Sequence, residues 1–152
     1  LIVFDTSSLV AAATKANGVP RQALRLASDE DLIALSLAVF CPWRFSVLGG
    51  FRGNNEVLHR PGLARFVVPD LRDEVIGLLI SSAVWFAPAE KATDCRDATD
   101  NKFLELAEAS SASLIVSSDN DLLALDPWRD TRILRPAAFV ALVQKPPVSS
   151  PG

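Results

Sequence analysis

Leu1-Ile2-Val3-Phe4-Asp5 opens the sequence, and Leu114-Ile115-Val116-Ser117-Ser118-Asp119 repeats its plan more than a hundred residues later. Each is a short, unbroken apolar run that leads to an aspartate. Runs without polar alternation read as strands buried on both faces, the mark of a parallel sheet. Working outward, Leu32-Ile33-Ala34-Leu35 and Ala83-Val84-Trp85-Phe86 are further strands, and Thr131-Arg132-Ile133-Leu134 is a short edge strand. Helical patterns lie between them. Pro20 suits a first helical turn ahead of Ala23, Leu24, Leu26 and Ala27. Pro69-Asp70 opens a helix carrying Leu71, Val75, Leu78 and Leu79. Asp97 or Thr99 caps one carrying Phe103, Leu104 and Ala107, and Pro136 opens a last one through Phe139, Val140 and Val143. Strands alternating with helices predict a doubly wound α/β fold, a three-layer α/β/α sandwich around a mainly parallel sheet.

The chain has 152 residues, enough for one domain of ordinary size, expected over residues 1–145 with a disordered tail over 146–152. Hydrophobic types make up 49% and charged types 22%, so a buried core is expected rather than disorder. Fifteen Lys and Arg face eighteen Asp and Glu, a net charge of −3, and no basic tract marks a nucleic-acid binder of the counterion-release kind. The apolar stretch Val75–Ala89 is broken by Gly77, Ser81, Ser82 and Pro88 and is too short to span a membrane. Cys41 and Cys95 stand in no metal-ligand pattern, and His59 is the single histidine. A zinc site and a Ser-His-Asp hydrolase are therefore excluded. A reduced, cytoplasmic domain is the expectation, starting just after its initiator. Phe40 to Asn55, with three glycines and Pro42, has no helical period and reads as a loop or insertion interrupting a helix that should run to His59.

In an open α/β sheet, ligands bind outside the carboxyl ends of the strands. Asp5 and Asp119 are the acids two strands deliver there, and Thr6-Ser7-Ser8 supplies hydroxyls for the Asp5 carboxylate or a bound water. Asp100 precedes Phe103, Leu104 and Ala107 by three, four and seven residues, so it shares that helix's inner stripe at its amino-terminal turn. Asp97 and Asp121 lie close by in sequence. Acids gathered at one edge, with no basic residue among the strand ends, repel one another. A divalent cation relieves that repulsion, and oxygen-only ligands select Mg²⁺ or Mn²⁺. Each acid also has a plain structural reading. An aspartate after a strand is often a turn former or helix cap, Asp97 suits an N-cap, and Asp121 suits a cap for the Leu122–Leu125 turn. Trp43, Trp85 and Trp128 read as packing residues and His59 as a surface helix residue. The joint pattern carries the functional signal.

Asp5-Thr6-Ser7-Ser8-Leu9, Val57-Leu58-His59-Arg60-Pro61, Arg96-Asp97-Ala98-Thr99-Asp100-Asn101-Lys102-Phe103-Leu104 and Ile115-Val116-Ser117-Ser118-Asp119-Asn120-Asp121-Leu122-Leu123 together resemble the PIN-domain family, from Leu1 to about Val143. More closely they resemble its VapC-like branch, the toxins of toxin–antitoxin systems. The resemblance implies a compact α/β/α ribonuclease that gathers three or four acids around Mg²⁺ or Mn²⁺. It further implies an RNA substrate and a cognate antitoxin protein, with a homodimer as one option. By motif, Asp5, Asp100 and Asp119 match the family's acidic positions, and Asp97 and Asp121 match accessory acids. The family also places a glutamate one helical turn before the Val57 block. Here that position is Gly53, and Glu56 is the acid nearest to it.

Metal-bound water and charge stabilisation at the phosphoryl oxygens need no histidine, which suits this chain. Setting aside Asp5, Glu56, Asp97, Asp100, Asp119 and Asp121 leaves twelve acids against fifteen bases, and Arg44, Arg52, Arg60, Arg65 and Arg96 are available to phosphates. Two rivals stand beside the ribonuclease. One is a catalytically impaired PIN module that binds RNA or an antitoxin without cleaving, favoured by Gly53. The other is a haloacid-dehalogenase-like phosphatase. That family needs a second aspartate two residues after the first, where this chain has Ser7.

Overall fold

The apolar run at the start becomes β1 (Ile2–Phe4), buried along its whole length, and the chain turns at Asp5 directly into α1 (Thr6–Ala12). In this computed structural model, which describes residues 1–30, 32–41 and 69–145, α2 (Val19–Asp29), β2 (Ile33–Leu35) and a helical turn at 37–41 follow. Then come α3 (Pro69–Ser82), β3 (Ala83–Trp85), a 3-10 turn (Ala98–Asp100), α4 (Asn101–Ser110) and β4 (Leu114–Val116). The last elements are α5 (Asn120–Leu123), β5 (Arg132–Leu134) and α6 (Pro136–Gln144). All five expected strands are present. Phe40 and Cys41 are helical, so regular structure runs two residues into the segment expected to be a loop; the rest of that segment, His59 and the 146–152 tail lie outside the described residues.

The strand order is β3-β2-β1-β4-β5, and every pairing is parallel. From β1 the chain steps outward to β2 and β3, then returns past β1 to form β4 and β5. Right-handed crossovers in opposite directions place their helices on opposite faces. Accordingly α1, α2, α3 and α6 pack against one another, while α4 packs on β1, β2 and β4. The result is the three-layer α/β/α sandwich. The reversal between β1 and β4 is a topological switch point, where strand-end loops part to leave a crevice.

Core and helix faces follow from residue spacing. Ala23, Leu24 and Ala27 of α2, Val75 and Leu79 of α3, and Phe103, Leu104 and Ala107 of α4 recur at three- and four-residue intervals and are buried. Phe4 meets Phe139 of α6 edge-on at 6.3 Å between ring centroids. Pro20 sits in the first turn of α2, where its missing N–H costs nothing, and Asp70 lies at the positive amino end of α3. Trp128 is buried as a packing residue, whereas Trp85 on edge strand β3 is 42% exposed and lies edge-on to Phe40.

One charge is buried among the helices. Arg21 is 1% exposed; its guanidinium donates to the carbonyls of Ala12 (3.0 Å) and Leu71 (3.3 Å) and pairs with Glu74. Arg25, half exposed, also pairs with Glu74 at 2.5 Å, and the hydrogen bond from Arg25 leads the effects that hold the Glu74 carboxyl below its ordinary pKa. Arg21 thus ties α1, α2 and α3 together from inside. Arg21→Ala should cost about 2–3 kcal/mol, because two inward carbonyls lose their donor and a cavity remains. Arg25→Ala, losing only an exposed pair, should cost under about 1 kcal/mol. Urea denaturation of the two variants checks the order.

Candidate active site at the strand ends

Asp5 stands at the carboxyl end of β1 and is 2% exposed. Three donors hold its carboxylate. Oδ1 accepts the backbone N–H of Ser8 at 2.7 Å, capping α1. Oδ2 accepts the Ser7 hydroxyl at 2.7 Å and the Ser117 hydroxyl at 2.5 Å. The backbone joins in, since Asp5 N–H donates to the Val116 carbonyl at 3.0 Å. Ser117 is fully buried at the end of β4, and its Oγ also accepts the N–H of Asp119 at 2.9 Å. One hydroxyl therefore links Asp5 to the backbone that carries Asp119, across the switch point. Of the Thr6-Ser7-Ser8 hydroxyls expected to serve the Asp5 carboxylate, only Ser7 Oγ does so. Ser8 serves through its backbone N–H while its hydroxyl donates to the Val116 carbonyl at 3.4 Å, and Thr6 Oγ1 has no partner among the described residues. Sequence reasoning treated Ser117 only as a strand end; its spacing two before Asp119 was the available signal.

Asp119 caps α5, accepting the N–H groups of Asp121 (2.8 Å) and Leu122 (3.4 Å). Asp121 is therefore not the cap of the turn that follows, as its position had implied. A cap must precede the first helical residue with an extended backbone, and Asp119 has that conformation while Asp121 is already inside the helix. Asp97, exposed, caps the 3-10 turn through Thr99, whose N–H and hydroxyl lie 2.9 and 2.7 Å from Oδ1; these bonds hold its carboxyl below the ordinary pKa. Asp100 ends that 3-10 turn and occupies the N-cap position of α4 without making a side-chain cap bond. The inner residue at this helix start is instead Asn101, whose Oδ1 accepts the N–H of buried Cys95 at 2.9 Å. Glu56 lies outside the described residues.

Asp100 reports on the electrostatics of the edge. Its pKa is pushed up to about 6, first by burial, then by the negative charges of Asp119, Asp97 and Asp5, with Lys102 opposing. Burial raises the pKa of the Cys95 thiol too, and Asp100, Asp121 and Asp119 add to the rise. Asp119, Asp97 and Asp5 are thus felt by Asp100, and Asp121 by Cys95. Contrary to the sequence expectation, a base does follow a strand there. Arg135 succeeds β5, and its guanidinium donates to Asn120 Oδ1 at 2.9 Å. Lys102 is partly buried over the Phe103 ring at 5.2 Å; burial lowers its pKa against the pull of Asp100 and Asp97.

The donor set fits a hard divalent cation: carboxylates and hydroxyls only, with one carboxyl destabilised by its like-charged neighbours. Among the described residues no group of three acids, histidines or cysteines is already drawn together as a metal cage. A cleft of about 340 Å³ elsewhere, lined by Gly18, Arg21, Gln22 and Arg25, follows α1 and so lies away from these strand ends.

A profile of the PIN domain matches residues 1–121, which include β1 through β4 and Asp5, Asp97, Asp100, Asp119 and Asp121. The chain belongs to the PIN-domain family. No curated protein and no solved structure matches it significantly. PIN domains are generally nucleases and typically use divalent metals, so the fold here is of the nuclease type. Beyond the matched residues, β5 pairs with β4 and α6 packs on α2, completing the PIN-type sheet and its helical layer.

Two outcomes follow for this PIN domain. Ser117→Ala should cost about 1–3 kcal/mol in urea denaturation, since a buried carboxylate loses a charge-assisted donor and the Asp119 N–H loses its acceptor. Asp100 should also give the metal-free protein a pH signature. A carboxyl whose folded pKa is raised binds its proton more tightly in the folded chain, so stability falls as pH rises from the ordinary aspartate range through about 6. Asp100→Asn should remove this fall and stabilise the protein at pH 8 by about 1 kcal/mol, allowing for solvent screening. Thermal melts from pH 4 to 8 in EDTA check it.

Proposed function

We propose that this PIN domain is a Mg²⁺- or Mn²⁺-dependent endoribonuclease, the toxin of a toxin–antitoxin pair. The observation that supports the proposal is that Asp5 ends β1 and Asp119 follows the neighbouring strand β4, the two tied through the Ser117 hydroxyl, while Asp100 feels both charges beside the larger effect of its burial. Asp5, Asp100 and Asp119 are the principal carboxylates, with Asp97, Asp121 and Glu56 as accessory metal ligands. A bound divalent ion supplies a more acidic water and stabilises charge developing on the phosphoryl oxygens. Asp5 keeps a fixed orientation because Ser7, Ser8 and Ser117 hold both of its oxygens. Asp119 is held through its cap to α5, and Asp100, free of any cap bond, can turn toward an ion. Exposed Arg96 is placed beside the acids in sequence to meet RNA phosphates. The active unit spans residues 1–145 and works in the cytoplasm; its partners are RNA, a cognate antitoxin and, as one option, a second copy of the chain.

A second reading, a PIN module that binds RNA or antitoxin without cutting, is favoured by Gly53 at the position where the resemblance places a glutamate. Cleavage assays separate the two. Asp5→Asn and Asp100→Asn should each abolish Mn²⁺-dependent cleavage of single-stranded RNA while the fold, followed by circular dichroism, is kept. Glu56→Gln should reduce the rate far less. Wild-type protein that binds RNA but leaves it intact at saturating Mn²⁺ would establish the non-cleaving module instead.

A further inference from the structure

At the same strand ends, two buried hydroxyl oxygens, Ser36 Oγ and Thr6 Oγ1, have no hydrogen-bond partner among the described residues. Thr6 belongs to α1, whereas Ser36 belongs to the row of strand-end residues. Ser36 is 1% exposed and follows β2 directly. Its carbonyl accepts the N–H groups of Val39 (3.1 Å) and Phe40 (2.9 Å). A serine in this place ordinarily turns its hydroxyl to the helix N–H groups as a cap, and this one does not.

Register shows where that hydroxyl belongs. Val3 pairs with Ala34, so Asp5, two residues on, stands beside Ser36. Phe4 pairs with Val116, so Asp5 also stands beside Ser117. Residues in register on adjacent parallel strands point to the same side of the sheet. Asp5 is therefore flanked at equal depth by two serines. One of them, Ser117, donates to its carboxylate, and the other is left unused. Burying a hydroxyl without a partner is unfavourable, and alanine would fill the same space without that cost.

Resting on the reading that Asp5 holds a divalent ion, we infer that Ser36 is a positioning residue for that ion. Its hydroxyl hydrogen-bonds a water coordinated to the ion beside Asp5. Small hard cations keep several of their waters when carboxylates bind them, and partners of such outer groups commonly contribute ten- to a hundredfold to affinity. Ser36 is not a metal ligand and does not touch the reacting phosphate.

The test is titration of the full chain with Mn²⁺ alone, following free Mn²⁺ by electron paramagnetic resonance, with thermal melts in EDTA alongside. Ser36→Ala should weaken Mn²⁺ binding about tenfold or more. Its metal-free melting temperature should equal or exceed that of the wild type, because an unpaired buried hydroxyl has been removed. Asp5→Asn should lose the same Mn²⁺ site. Unchanged affinity in Ser36→Ala, with the site lost in Asp5→Asn, overturns the role of Ser36 and leaves the metal reading standing. A lower metal-free melting temperature in Ser36→Ala also overturns it, by showing that the hydroxyl serves the fold. Wild-type affinity in Asp5→Asn overturns both.

Discussion

The Ser117 hydroxyl, donating to the Asp5 carboxylate at 2.5 Å and accepting the Asp119 N–H at 2.9 Å, is the interaction on which the organisation of this edge depends. It lies where β1 and β4 are neighbours in the sheet but far apart in sequence. A carboxylate buried to 2% exposure is tolerable only if hydrogen bonds replace its water, and the two Asp5 oxygens receive three. Two of those donors are local to α1. The third comes from across the switch point, so Asp5 is oriented correctly only once β4 has docked. Folding and preparation of the site are thereby one event.

The acids here do double service. Asp5, Asp97 and Asp119 are all helix or turn caps, and the cap bonds fix their carboxylates against the backbone. Structural and functional readings of these residues are consequently not rivals. Capping satisfies N–H groups at the helix start and leaves further lone pairs on the carboxylate free for another ligand. Asp100 differs. Burial and the charges of Asp119, Asp97 and Asp5 push its pKa to about 6, and no cap bond compensates. The edge thus combines fixed anions with one that is electrostatically unsatisfied. The bases nearby, Lys102 and Arg135, are set over Phe103 and against Asn120.

Membership of the PIN family matches this architecture and adds the nuclease-type chemistry its fold supports. The strand pairing and the α6–α2 packing carry the sheet and its helical layer past the matched residues, so the site rests on a full five-stranded scaffold. Arg21 gathers carbonyls from the carboxyl end of α1 and from α3 around one buried guanidinium, joining the helices of that layer.

Much of this was determined by the sequence alone. Unbroken apolar runs such as Ile2–Phe4 and Leu114–Val116 can be stable only in a strand covered on both faces, so parallel pairing and a terminal Asp at the sheet edge followed from residue type and order. The order of the acidic motifs carried the family in the same way. Helix α1 was not legible, because Thr6-Ser7-Ser8 favours turns as readily as helix until Asp5 caps it and Leu9 finds the core. The cap at α5 was misread by two residues, since side-chain chemistry alone does not distinguish Asp119 from Asp121 and backbone conformation does. The Ser7 hydroxyl was legible as a partner of Asp5 from its place two residues on, but which distant hydroxyls flank Asp5 was decided only by tertiary structure. Ser36 and Ser117 lie 81 residues apart in sequence and become its two flanks through strand register, a relation between distant segments that no local pattern encodes.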